Sequence, residues 1–189
     1  MEIIEKPAPY LDAFLEECLR NAKTIPTILR EALVDVTILG HSIPRGTGVI
    51  IFTHGPGGQL ESGFDIPEAA RSSTSQESKD HFGIWNPDDI RSFRPERWLH
   101  RTTELQSGNK GEFDGLEYKA NSGPFLTFGG GPRGCFGKRL AYMELRIVLA
   151  MLVWNFEFGA CPTELSSYDG FDTATVVPKQ CYVRLRRLL

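Results

Sequence analysis

The chain has 189 residues, 41% hydrophobic and 24% charged, the size of one globular domain with room for a core. Its 21 basic and 24 acidic residues leave a formal net charge of -3, which excludes a general nucleic-acid binder whose affinity comes from neutralising phosphates. With 19 glycines and 12 prolines, much of the chain is expected to be irregular loop.

Cysteines stand at 18, 135, 161 and 181 with no CxxC pair, which suggests neither a zinc site nor a dense disulfide framework and points to a reducing, intracellular compartment. The longest apolar run, Ile147 to Trp154, falls far short of the roughly 18 to 20 residues that span a bilayer. The opening MEIIEKPAPY lacks the basic and apolar regions of a signal peptide, so neither a transmembrane segment nor a secretion signal is expected in this chain.

In chain order, Leu11, Phe14, Leu15, Cys18 and Leu19 recur at spacings of three and four, predicting an amphipathic helix over Tyr10 to Asn21. Glu17 and Arg20 share a face of it, as a solvated pair or as part of something larger. β-Branched residues gather at Val34 to Leu39 and Val49 to Thr53, with turn residues Gly40, Pro44 and Gly46 between, and predict two paired strands. Arg30 precedes them in an apolar setting from which it can reach an anion or lie on the surface. Residues 57–80 read as an exposed loop or insertion, with Arg71 to Lys79 the best candidate for disorder.

From Trp85 the segment WNPDDIRSFRPERWL is too punctuated by proline for one helix and predicts a packed, irregular meander around Trp85, Phe93 and Trp98. Arg101 to Asn121 reads as loop, Pro124 to Phe128 as a short extended approach, and Lys138 to Trp154 as the longest helix, buried nearly all round in its C-terminal half. Thr173 to Val177 and Cys181 to Leu185, split by Pro178, predict a closing hairpin.

Between approach and helix lies FGGGPRGCFG, Phe128 to Gly137, where glycines allow positive φ and close approach of another molecule to the main chain. A P-loop fails, because Gly137-Lys138 is followed by Arg139 and the position five before Gly137 is Pro132. Gly129, Gly131 and Gly134 satisfy GxGxxG, with Glu157 at the distance of a ribose-binding acid, so a dinucleotide-binding module stays open as a remote alternative. In the third reading Cys135 is a ligand, since a thiolate at a helix N-terminus is stabilised by the helix dipole and by unpaired N–H groups.

These residues resemble the cytochrome P-450 monooxygenases, and most of all eukaryotic, fungal-type members. FGGGPRGCFG fits the FxxGxRxCxG signature through Phe128, Gly131, Arg133, Cys135 and Gly137. Glu17 and Arg20 match the family's ExxR pair, and Arg97, within Pro95-Glu96-Arg97-Trp98, matches its PERF-like or PERW-like element. The resemblance implies a mainly α fold with small β-hairpins (α+β), comprising the ExxR helix, the meander, the cysteine-ligand loop and the long helix after it. Residues 1–189 would form a single partial domain, the C-terminal haem-binding part of the family's fold.

It implies further that Cys135 is the proximal thiolate ligand of the iron of haem b (iron protoporphyrin IX). Arg133 and Arg30 would meet haem propionates, Phe128 would shield the sulfur, and Gly129 and Gly137 would stand among the cofactor-binding positions. Glu17, Arg20 and Arg97 would form a buried network bracing the loop. Ile25, Pro26, Thr27 and Ile28 would face the substrate, as would the tail around Thr173 to Val176.

The implied activity is haem- and iron-dependent monooxygenation of a small, apolar organic substrate. O2 is the co-substrate, and electrons come from an NADPH-dependent reductase or another donor that meets the basic surface of Lys138 and Arg139. Full-length eukaryotic relatives are usually associated with the endoplasmic reticulum membrane. The chain carries no [AG]GxxT oxygen-activation motif, so the isolated polypeptide is expected to be inactive. The alternative is a truncated non-catalytic haem-binding remnant or an incomplete gene model.

Overall fold

The computed structural model describes residues 6–22, 24–53, 66–101 and 115–188. Helix α1, Pro9–Asn21, starts on a proline whose fixed φ suits the first helical position, and carries Arg20 in its last turn. Its deepest face is not simply the predicted apolar stripe. Ala13 and Leu15 are buried there together with Glu16, Glu17 and Arg20, whereas Leu11, Phe14, Cys18 and Leu19 are half-buried. A helix burying that many ionisable groups needs partners for each of them.

The partners of Glu17 and Arg20 come from the segment after Trp85, and those of Glu16 are Tyr118 and Tyr142. Ala13, Trp85, Ile90 and Trp98 form the core cluster, with Leu99, Tyr118 and Phe125 packed on it. Trp98 meets Trp85 and Phe125 edge-on, at centroid separations of 5.2 and 5.4 Å. Gly123 lies so close to Trp85 that a Cβ there would stand 2.4 Å from the indole, so only glycine lets the chain pass before Pro124, whose carbonyl accepts from Trp85 Nε1 at 2.9 Å. The expected meander is thus wrapped around indoles.

The strands are short and pair antiparallel in twos. Strand β1, Thr27–Glu31, pairs with β4, Gly48–Phe52, and β2, Val36–Ile38, with β3, His41–Ile43. The expected pairing of 34–39 with 49–53 does not form. Leu39 and Gly40 both take positive φ, closing a two-residue turn that folds β2 onto β3 and leaves β4 free for β1, a strand that the β-branched pattern did not single out.

Strand β5, Leu99–Arg101, pairs with β6, Leu116–Tyr118. Helix α3, Lys138–Asn155, runs directly into β7, Phe156–Gly159. Strand β8, Gly170–Asp172, pairs with β9, Val176–Pro178, while β10, Arg184–Arg187, pairs with β7. The closing hairpin expected within the tail is therefore replaced by two separate pairings. Thr173 accounts for the first, because its N–H and Oγ1 both donate to the Thr175 carbonyl and turn the chain back after β8.

The loop expected at 57–80 lies outside the described residues as far as position 65. Within 73–82 it is helical instead of disordered: α2, Ser73–Phe82, begins on Ser72, whose Oγ accepts from the Ser75 N–H at 3.3 Å. Helix α3 also departs from expectation in burial, since Met151 is 61% and Trp154 78% exposed and only Ala150 is buried. Its neighbours among the described residues include α1 and β7. Among the described residues no helix is long and apolar enough to cross a membrane.

Candidate functional site

Two structures meet around α1: a hydrogen-bonded carboxylate cluster on one side and the glycine-cysteine loop on the other. Glu17, Arg20 and Trp98 are fully buried. The Glu17 carboxylate accepts from Arg20 Nε at 2.9 Å and Nη2 at 2.7 Å, from the Arg94 backbone N–H at 2.8 Å and from Trp98 Nε1 at 3.0 Å. Arg97 Nε completes the set at 3.3 Å from Oε1 and 3.2 Å from Oε2.

The guanidiniums are satisfied in turn. Arg20 donates to the Ile90 and Ser92 carbonyls at 2.7 and 3.1 Å, and Arg97 to the Asp89 side chain, the Asp89 carbonyl and the Ser92 carbonyl at 2.9 to 3.0 Å. Both guanidinium carbons lie 5.7 Å from the Trp85 ring centroid.

Burial alone would raise the Glu17 pKa, but the Arg20 hydrogen bonds, the Arg94 and Trp98 N–H groups and the Arg20 charge together hold it below the ordinary carboxylate value. The Asp89 carboxyl is likewise lowered, chiefly by the Arg97 hydrogen bond. The structure therefore brings Glu17, Arg20 and Arg97 into one network. The ExxR and PERW patterns point to those three, with Trp98 inside the PERW element, whereas Asp89 has no comparable signal in the sequence. A carboxylate shared by two guanidiniums makes strong charge-assisted bonds, and removing one member strands a buried charge at about 3 to 5 kcal/mol.

The cluster is joined to the cysteine loop through the main chain. Thr127 Oγ1 donates to the Leu19 carbonyl of α1 at 3.2 Å, and Gly129 N–H closes on Leu126 O at 2.8 Å. Gly129 and Gly131 take φ of 68° and 65°, the left-handed region that disfavours side chains, and the chain turns through Gly131–Arg133 to deliver Cys135. Cys135 N–H donates to Phe128 O at 2.8 Å and Cys135 O accepts from Lys138 N–H at 3.3 Å, at the start of α3. Cys135 is exposed and unpaired. A Cβ added to Gly137 would stand 3.9 Å from the Cys135 sulfur, in ordinary contact with it.

Arg133 stands on the loop and is exposed, and Arg30, from β1, reaches it by donating to Gly130 O at 3.3 Å. Ile25 is exposed, and Pro26, Thr27 and Ile28 are half-buried. Thr53 fixes this segment, its Oγ1 donating to Ile25 O at 2.6 Å and its N–H to Pro26 O at 2.9 Å. The tail joins it through the Val176 N–H, 3.0 Å from Thr24 O, so the two segments expected to face a substrate are neighbours.

The dinucleotide reading does not survive the topology. It needs a parallel βαβ unit, whereas the strand pairings among the described residues are antiparallel and Glu157 lies in β7, paired with Arg186 of β10. No cluster of three or more His, Cys, Asp or Glu residues suited to a metal ion occurs among the described residues. Cys18 offers no second thiolate, because burial and then the Glu17 charge push its pKa up to about 11.

A second cluster lies on the other side of α1. The buried Glu16 carboxylate accepts from Tyr142 Oη at 2.8 Å to each oxygen and from Tyr118 Oη by a short hydrogen bond. Nothing local in the sequence announces a contact spanning more than a hundred residues.

Comparison with known proteins adds an independent line. The cytochrome P450 family model matches residues 6–58 and 84–183. The chain is 40% identical to the Hps1-dma1 cluster cytochrome P450 monooxygenase cyp3.1 of Dothistroma septosporum, an alignment covering 97% of this chain and 59% of that protein. It is 44% identical to the cytochrome P450 monooxygenase TRI13 of Fusarium sporotrichioides, covering 95% of this chain and 31% of that protein. Among solved structures, a cytochrome P450 (CYP102L1) crystal structure superposes with a TM-score of 0.62 at 24% identity, covering 98% of this chain and 33% of the other. The chain thus spans between about a third and three fifths of the length of these relatives.

Proposed function

The chain belongs to the cytochrome P450 family, and from that premise we propose that it is the cysteine-bearing, haem-holding part of a monooxygenase that inserts one atom of O2 into a small, apolar organic substrate. The observation that carries this reading is the thiol of Cys135, exposed on a loop fixed by the Phe128 carbonyl and joined through Thr127 to the Glu17 network. The donor set fits haem: the porphyrin would bring the iron's nitrogen donors, so a single protein thiolate suffices where no multi-residue metal cluster occurs among the described residues. When bound, haem b would supply one-electron and O2 chemistry that no side chain provides.

The chain's own residues hold and orient. Cys135 would supply the thiolate that holds the haem iron. Phe128 fixes the cysteine N–H through its carbonyl, Gly129 supplies the left-handed turn, and Gly137 stands beside the sulfur at the start of α3. Arg133 and Arg30 bring two cations to the loop, suited to the propionates. Ile25, Pro26, Thr27 and Ile28 form one wall for an apolar substrate, supported by the contact of Thr24 with Val176. Electrons would come from an NADPH-dependent reductase or another donor, with Lys138 and Arg139 in the basic surface that it meets. The family resemblance would place the whole protein inside the cell, at the endoplasmic reticulum membrane.

The sequence carries no [AG]GxxT oxygen-activation motif. The isolated chain is therefore proposed to hold haem without turnover. The second reading, a truncated haem-binding remnant or an incomplete gene model, carries the same lack of turnover. The test is the reduced, carbon monoxide-bound spectrum of the haem-reconstituted chain beside Cys135→Ser. A thiolate-type band in the wild type alone is expected, and its absence from the wild type would overturn haem ligation by Cys135.

A further inference from the structure

The cysteine loop has a second support, independent of the Glu17 network, on the opposite side of α1. Its root is Glu16, a buried carboxylate whose hydrogen bonds come from phenols instead of guanidiniums. Tyr142, one turn into α3, is thereby held with its ring 5.3 Å from the Phe128 ring, inclined by 38°. Lys138 Nζ closes the group, 5.7 Å from the Tyr142 centroid and 6.0 Å from that of Phe128. Phe128 is also the residue whose carbonyl receives the Cys135 N–H. A continuous path of contacts therefore runs from Glu16 through the Tyr142 hydroxyl and ring to Phe128 and the main chain of Cys135.

We infer that Tyr142, anchored by Glu16, is a positioning residue that fixes Phe128 and, through it, the direction and accessibility of the Cys135 thiol. The hydroxyl sets where the ring sits, and the ring sets where Phe128 can sit. Tyr118 anchors the same carboxylate to β6, so the carboxylate is held from two elements while it holds α3. The importance of this positioning for catalysis rests on Cys135 being the haem ligand, but the mechanical linkage does not. The two can fail separately.

The experiment has one arm without cofactor and one with it. In the first, alkylation of each cysteine by iodoacetamide is timed by peptide mass mapping in the wild type, Tyr142→Leu, Tyr142→Phe and Glu16→Gln. Losing a buried hydrogen bond to a carboxylate should raise the Cys135 rate in Tyr142→Phe by on the order of fivefold. Tyr142→Leu, which also removes the ring, should raise it more, and Glu16→Gln, which keeps an acceptor, should recover much of the wild-type rate. Cys161 and Cys181 should be unaffected. If Tyr142→Leu fails to fold, the shielded Cys18 and Cys161 accelerate as well and Tyr142→Phe decides. Equal Cys135 rates in Tyr142→Phe and wild type would overturn the inference.

In the second arm the same proteins are reconstituted with haem, and the thiolate-type fraction of the carbon monoxide complex and the haem reduction potential are measured. The fraction should fall and the potential shift in the order Glu16→Gln, Tyr142→Phe, Tyr142→Leu. A wild type without thiolate signal would refute haem ligation and leave the alkylation result to decide the positioning role. Normal wild-type signal with no change in any variant would refute that role for the holoprotein.

Discussion

Glu16 and Glu17 are adjacent in α1 and both buried, yet they are satisfied by different chemistry. Glu17 receives two guanidiniums, an indole N–H and a backbone N–H, and its pKa is lowered. Glu16 receives two phenols, and desolvation raises its pKa despite those hydrogen bonds and the nearby Lys138 charge. The phenols are raised as well, first by burial and then by the carboxylate beside them. Glu17 is thus ion-paired to the meander, whereas Glu16 meets β6 and the cysteine helix through phenols, and the contact of α1 with that helix also includes the Asp12–Arg146 ion pair at 2.7 Å. One helix buries two neighbouring carboxylates that are satisfied by unlike chemistry, and the difference can be measured.

The largest effect is expected at the charged centre. Glu17→Ala leaves Arg20 and Arg97 without their shared carboxylate and should cost about 3 to 5 kcal/mol in urea unfolding, enough to abolish folding of a marginal chain. Arg97→Ala, which leaves the Arg20 pair intact, should cost less, about 2 to 3 kcal/mol, and should lower haem retention. Unchanged haem content and thermal midpoint in Arg97→Ala would remove that residue from the network. On the other side of the helix, Tyr118→Phe should cost about 1 to 2 kcal/mol, because Glu16 keeps the Tyr142 hydroxyl. A cost equal to that of Glu17→Ala would erase the contrast between the two clusters.

The smallest effect separates the carboxylates by pH. Glu17, with its folded pKa below 4.5, contributes stability that is present above that value and lost as pH falls through the folded pKa. Glu16, raised above 4.5, has the opposite sign: its contribution is complete below 4.5 and is lost as pH rises through its folded pKa. Glu16→Gln should therefore reduce the loss of stability between pH 4.5 and neutrality, read as a smaller change in urea midpoint across that window. A larger change would show that the Glu16 pKa is not raised.

The charged cluster was legible in the sequence because ExxR and PERW are spelled by residues whose types and order are specific, and the cysteine loop because its glycines and thiol are contiguous. The long helices were legible from their 3.6-residue period. Glu16 was not, since a second acid beside Glu17 carries no mark of which face is covered, and its phenol partners lie over a hundred residues away. Strand pairing was lost for a related reason: period-two patterns say where strands are but not which neighbour each takes, and the Leu39-Gly40 turn decided β2–β3 locally. Helix α2 was hidden because its residues are polar and its stability comes from the Ser72 cap and surface contacts such as Lys79 with Glu68.

The most direct test of the claim that α1 holds an ion-paired carboxylate on one side and a phenol-held one on the other is a pH titration of the side-chain carboxyl 13C resonances of Glu16 and Glu17. The expected result is a Glu17 midpoint below 4.5 and a Glu16 midpoint above it. Coincident midpoints, or the reverse order, would contradict the account.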